Sequence, residues 1–219
     1  MHISPTGRIR DVFGWNCFPD SLFYEAKYAL RFDLGGEMPS HPLRFLRAMD
    51  RAREVAATVF EQSLNLTAIV CYYDGERRSS RAASSFKALA QIGFQAEFSK
   101  PERIPLNDRD YIAEFGEDLC AYWCSAEMKR SCEDRDALLW ACTAREIGIF
   151  PKARWLSRIY IVDFDRGVVL NVYDDRGMDL AALDPDKLRP AYHAFSEWLL
   201  DHDRERMIMT FKSRDTSDG

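Results

Sequence analysis

The chain has 219 residues and a formal net charge of −5, with 47% hydrophobic and 30% charged side chains. That length and balance fit one globular domain with a core of its own and exclude a disordered chain. No stretch approaches the roughly 20 apolar residues of a bilayer span, and Met1–Gly14 lacks the apolar centre of a signal peptide. A cytoplasmic protein is therefore expected, with no membrane partner. Six cysteines in a chain of this size are expected to be free thiols, not a disulfide framework.

The charge is unevenly placed. Residues 1–162 carry 22 acidic and 22 basic side chains, whereas residues 163–205 carry 11 acidic and 5 basic ones. Such a balance speaks against binding a nucleic-acid backbone. It suits a basic protein partner, a metal, or simple solubility.

In chain order, 20–29 reads as a short helix or turn, and the alternating Leu30–Leu34 as a strand stopped by Gly35 and Gly36. Pro42 opens a long helix whose apolar positions Phe45, Met49, Ala52, Ala56, Val59 and Phe60 recur at helical spacing. Leu66–Tyr73 is continuous, β-branched and aromatic, as a buried strand is. Residues 76–81 read as a polar loop and 82–92 as a helix ending at Gly93. Phe94–Phe98 alternates and reads as a strand. Residues 100–108, with Pro101 and Pro105, read as a loop.

Leu119–Ala126 reads as a strand with Cys120, Tyr122, Cys124 and Ala126 on one face. Ser131 and Asp134 resemble a capping box ahead of a helix that runs to Gly148. Strands at 158–164, 168–173 and 178–182 are separated by Asp165-Arg166-Gly167 and Asp175-Arg176-Gly177, which predicts an antiparallel meander. Asp184 and Pro185 then open a helix with Leu188, Ala191, Tyr192, Phe195, Trp198 and Leu199 on its apolar face, and a last helix or extension runs over 203–211. The expected fold is a single α+β domain over 1–212, a mixed or antiparallel sheet covered by helices, with 213–219 as a disordered tail.

The aspartates of the meander are the most unusual feature. Asp163, Asp165, Asp174, Asp175 and Asp179 lie on its strands or turns. Converging carboxylates hold divalent cations or act as acid and base, yet aspartate is also an ordinary turn residue because it binds its own backbone. Arg176 stands beside Asp179 as a prospective ion partner. Cys120, Cys124 and Cys132 lack the close-pair spacing of a zinc site, so they are expected in the core and no metal or cofactor is expected. His193 and His202 do not share a tight helical face, and the run from Asp201 through Asp203 and Arg204 to Arg206 reads as a solvated helix end. Arg44, Arg47, Arg51 and Arg53 with Arg77, Arg78 and Arg81 make a mixed, not purely basic, surface. The phosphate-loop, nucleophile-elbow and zinc-peptidase motifs are absent.

Tyr173-Asp174-Asp175-Arg176-Gly177-Met178-Asp179, then Leu188-Arg189-Pro190 with Tyr192, then Trp198-Leu199-Leu200-Asp201 with Asp203-Arg204-Glu205, resembles the C-terminal signature of the bacterial family of unknown function DUF3885. Leu22-Phe23-Tyr24 and Leu30–Gly35 resemble its opening. The resemblance implies a bacterial origin and one compact domain, and it supplies no activity. Met178 stands where many relatives carry cysteine, which removes a thiol from this turn.

Two functions fit. The first is a non-catalytic protein-binding module, such as an immunity protein that neutralises a toxin, using Asp174, Asp175, Arg176, Asp179, Asp201, Asp203 and Arg204 as an acidic surface for a basic partner. The second is a metal-assisted hydrolase or transferase with Asp174, Asp175 and Asp179 as ligands and Arg176 steadying an anion.

Overall fold

A computed structural model describes residues 4–38, 40–75, 80–105, 119–128 and 132–215. Its centre is one seven-stranded antiparallel sheet. In chain order the elements are α1 (Pro5–Phe13), α2 (Leu22–Glu25), β1 (Tyr28–Asp33), α3 (His41–Val59), β2 (Leu66–Asp74), α4 (Ser80–Ile92), β3 (Glu102–Pro105) and β4 (Cys120–Met128). There follow α5 (Cys132–Thr143), β5 (Arg158–Asp163), β6 (Val168–Val172), β7 (Gly177–Ala182), α6 (Arg189–Ala194) and α7 (Arg204–Asp215). Spatially the strands run β1-β7-β6-β5-β2-β4-β3. The meander β5-β6-β7 therefore forms the middle, with β1 added on one side and β2 on the other.

Register separates two faces, because directly opposed residues project to the same side. Phe32, Met178, Leu170, Ile161, Ala68, Val70, Tyr72 and Cys124 share one face through the pairs Phe32↔Met178, Leu170↔Leu180, Ile161↔Leu170, Ala68↔Ile161 and Val70↔Cys124. Helix α4 packs on it, with Phe86 edge-on to Tyr72 at 6.0 Å. The opposite face carries Arg31, Asp179, Asn171, Tyr160, Arg158, Cys71, Tyr73 and Trp123. The N-terminal segment covers this second face: Phe18 lies against Tyr160 at 4.7 Å, and the Tyr160 hydroxyl donates to Pro19 O at 3.1 Å. Phe18 and Phe23 are fully buried there, each contributing roughly 1.5–3 kcal/mol.

Local chemistry explains where elements end. Ser4 accepts from Gly7 N at 3.1 Å to cap α1, and Gly14 closes it at φ 76°. The β5–β6 turn is held by Asp163, which accepts from Arg166 N at 2.9 Å. Beyond β1, Leu200 N donates to Arg31 O at 2.9 Å and Leu199 bridges Phe32, so the C-terminal segment covers that edge of the sheet.

Three expectations need correction. Phe94–Phe98 is not a strand: Asp134 takes the backbone N–H of Gln95 at 2.6 Å, and Phe94 stacks on Phe98 at 5.0 Å, so hydrogen bond and rings both serve a loop. Residues Glu102–Pro105, expected in a loop, form the edge strand β3, where proline is tolerated at the end of the ladder. Thr6 holds that edge, its N–H and hydroxyl both donating to Glu102 at 3.1 and 2.6 Å. The long helix expected from Asp184 to Leu199 is broken. Asp184 caps only a 3-10 turn at Pro185–Lys187, and Pro190 starts α6, which a continuous helix would not accommodate.

Helix α5 ends at Thr143, short of Gly148, and α7 runs through Asp215. The expected cap at Ser131, most of the loop at 76–81, and the tail beyond residue 215 lie outside the described residues. Among the described residues no helix is long and apolar enough to cross a membrane.

Candidate functional site

The signature residues of the meander are joints between segments. Asp174 is buried, accepts from Arg176 N at 2.7 Å and pairs with the Arg176 guanidinium, so it closes its own turn. Asp175 pairs with Arg44 of α3 at 2.5 Å. Burial pushes its carboxyl above the ordinary value, with Arg44 opposing. Asp179 is 1% exposed and receives Arg31 side-on, Nε at 2.7 Å and Nη2 at 2.9 Å, and also Phe23 N at 3.1 Å. Asp203 accepts from Tyr24 at 3.2 Å and lies 3.5 Å from Arg31.

Asp201 and Arg204 form an exposed pair at 2.8 Å. Arg31, and not Arg176, is thus the partner of Asp179. Gly177 is required because a Cβ there would strike the Tyr173 hydroxyl and Phe32 O.

Asp174, Asp175 and Asp179 are therefore distributed over three different arginines. Among the described residues no group of three or more His, Cys, Asp or Glu side chains is placed to hold a metal ion. Part of the acidic excess of residues 163–205 is met from outside the segment, by Arg31 of β1 at Asp179 and Asp203 and by Arg44 of α3 at Asp175. Cys71, Cys120, Cys124 and Cys142 are buried and outside any disulfide among the described residues, and burial pushes Cys71 up to about 12 and Cys142 to about 11. His193 and His202 are exposed. Of the arginine set, Arg51 pairs with Asp33 at 3.2 Å and Arg53 with Asp136 at 3.0 Å.

A different group of side chains converges on the second face of the sheet. Tyr73 from β2, Arg158 from β5, Asn171 from β6 and Tyr173 just beyond it line a cavity of about 250 Å³ with Asp20, Arg145 and Ser157. Strand geometry accounts for the first four: each projects to the same face at adjoining strand ends. Arg158 donates to the Tyr73 hydroxyl and pairs with Asp20 of the covering segment. Asn171 donates to Ile159 O at 2.8 Å. Burial pushes the Tyr173 hydroxyl above its ordinary value, Asp179 adding and Arg31 opposing, so it stays a neutral donor.

Arg145 is the outlier. Its Nη1 donates to Ser157 O at 2.7 Å, while Nε and Nη2 are sealed from solvent and have no hydrogen-bond partner among the described residues. Nε and Nη2 form the side-on edge that binds two carboxylate or phosphate oxygens. A larger groove of about 500 Å³ runs between α3 and α5, but its Arg53 is already paired with Asp136.

Of the cavity residues only Tyr173 belongs to a motif legible in the sequence. Arg145 and Ser157 sit in the connection between α5 and β5, and Asp20 in a loop, where spacing carries no signal. The meander pattern does place Arg158 and Asn171 at strand positions, without showing that they meet.

No curated protein and no solved structure matches the chain. The model of one family, described as a domain of unknown function (DUF3885), matches residues 6–203, which runs from within α1 to the residue before α7 and includes every residue of the cavity. The chain belongs to the DUF3885 family.

Proposed function

We propose that the chain is a non-catalytic binding module whose recognition site is the arginine-lined cavity, and that its ligand presents an anionic group to Arg145 and Arg158. The observation that carries this reading is the unmatched edge of Arg145. A buried donor without an acceptor costs on the order of 1–3 kcal/mol, more when charged. An anion in the cavity removes that cost. Neither Nε nor Nη2 borders water-accessible space, so the side chain turns its edge into the cavity when the ligand arrives. Tyr73 and Tyr173 add aromatic side chains to the lining, as small-ligand sites commonly do.

The basic-partner reading and the metal reading both need open aspartates. Asp174, Asp175, Asp179 and Asp203 are buried and already paired or hydrogen-bonded, so neither reading gains a site from them.

Calorimetric titration of the full chain with benzoate and with phenyl phosphate tests the proposal. At least one probe binds the wild type, and Arg145→Met weakens it about tenfold, the equivalent of one good charge-assisted contact. A wild type that takes up neither probe, or an Arg145→Met variant that binds as well, overturns it.

A further inference from the structure

We infer that the cavity selects a small monocarboxylate over a phosphate monoester; this rests on the anion-binding reading of the same cavity. Charge decides between the two classes. The lining carries two guanidinium groups, Arg145 and Arg158, and one carboxylate, Asp20. That leaves one positive charge unmatched. A monocarboxylate neutralises it. A phosphate monoester, a dianion well above its second pKa of about 6, brings one negative charge too many.

Asp20 sharpens the discrimination because it is no bystander. It is ion-paired with Arg158, the same guanidinium that the ligand needs. Any added negative charge competes with Asp20 for Arg158, and a dianion does so more severely.

The second argument is geometric. Once turned into the cavity, the unmatched edge of Arg145 offers two donors, Nε and Nη2. A carboxylate has two oxygens in one plane and fills that edge completely. The protein shows this arrangement once already, where Arg31 holds both oxygens of Asp179 through the same two nitrogens at 2.7 and 2.9 Å. A phosphate presents a third oxygen, for which that edge has no donor.

Size is the third argument. About 250 Å³ lies below the roughly 300–1,000 Å³ of sites for drug-sized ligands, which favours a compact acid. The cavity has the rings of Tyr73 and Tyr173 as walls, so a flat or short apolar body suits it.

Benzoate and phenyl phosphate share their ring and differ in charge, which makes them the decisive pair. Both are titrated at about pH 8, where the phosphate ester is a dianion, into the wild type and into Asp20→Asn. The Asp20 side chain is 75% exposed, so its replacement leaves the fold intact; circular dichroism verifies that. In the wild type benzoate binds about tenfold more tightly than phenyl phosphate. In Asp20→Asn the preference narrows at least about threefold, because phenyl phosphate gains more than benzoate.

Tighter binding of phenyl phosphate by the wild type, or a preference that Asp20→Asn leaves unchanged, overturns the carboxylate assignment and keeps the cavity as an anion site. Binding of neither probe overturns both.

Discussion

Arg31 and Arg145 bring the same chemical group to the second face of the sheet, and Tyr173 touches both neighbourhoods: its ring lies 5.9 Å from the Arg31 guanidinium and it lines the cavity with Arg145. Around Arg31 every donor in sight has an acceptor. Nε and Nη2 reach Asp179, Nη2 also reaches Ser21 at 2.9 Å, and the guanidinium lies over the rings of Phe23 and Tyr24 at 4.9 and 4.7 Å. Around Arg145 one donor is answered by Ser157 and two by nothing described. A buried guanidinium that is fully matched fastens segments distant in sequence. One that is partly matched leaves a penalty standing in the folded state, and a ligand relieves it.

The contrast predicts very different responses to mutation. The largest belongs to Asp179→Ala, which leaves Arg31 with only the 3.5 Å pair to Asp203 and Phe23 N without its acceptor. Loss of one partner of a buried pair costs about 3–5 kcal/mol, a large share of the roughly 5–15 kcal/mol of a typical domain. Urea denaturation measures it. The double variant Arg31→Met with Asp179→Leu should lose less than Asp179→Ala alone, since it removes the orphaned charge. If both lose equally, the network matters for packing and not for charge.

An intermediate effect belongs to Arg44→Met, which leaves Asp175 buried beside α3 without its cation. Arg44 is 30% exposed, so solvent already screens the pair and the loss at neutral pH is about 1–2 kcal/mol. Its pH dependence has a definite sign. Burial raises the Asp175 pKa above 3.8 in the folded state, and Arg44 restrains that rise. A raised carboxyl binds its proton more readily folded than unfolded, so its contribution to stability is fully present below the unfolded pKa and is lost as pH rises through the folded one. Without Arg44 the folded pKa moves higher. The deficit of Arg44→Met therefore shrinks as the pH is lowered from about 7 towards 4. A deficit that grows on acidification would mean that removing Arg44 lowers the folded pKa of Asp175, so that Arg44 does not stabilise its carboxylate.

The same contrast explains what was legible in the sequence. The meander, α3, β2 and β4 follow from periodicity and turn residues, because those signals act over a few positions. A turn role for one of Asp174 and Asp175 was legible for the same reason, and Asp174 fills it by binding a backbone N–H two residues on. The partner of Asp179 was not: Arg31 lies 148 residues away in sequence, and only the β1–β7 register brings them opposite each other. Phe94–Phe98 misled because alternation reports side chains, while Asp134 had claimed the backbone donors. Arg145 was invisible in a stronger sense. It sits in an irregular connection, and what distinguishes it is a missing acceptor, which no residue type announces.

The smallest effect on stability is expected at Arg145 itself, and it separates the two arginines most sharply. Arg145→Met forfeits the hydrogen bond to Ser157 O, worth about 1 kcal/mol. It also removes a buried cationic edge whose unmatched donors cost a similar amount or more. The two terms oppose, so the ligand-free variant should lie within about 1 kcal/mol of the wild type by urea denaturation. A loss of about 3 kcal/mol or more would make Arg145 a fastening like Arg31 and remove the basis for a recognition site. Ligand then restores the difference between the proteins. At a benzoate concentration of about one hundred times its Kd, the wild type gains roughly 2.7 kcal/mol by mass action. Arg145→Met, binding about tenfold more weakly, gains roughly half of that at the same concentration. Equal gains would place the anion away from Arg145, and the unmatched edge would then be a cost that the fold carries without return.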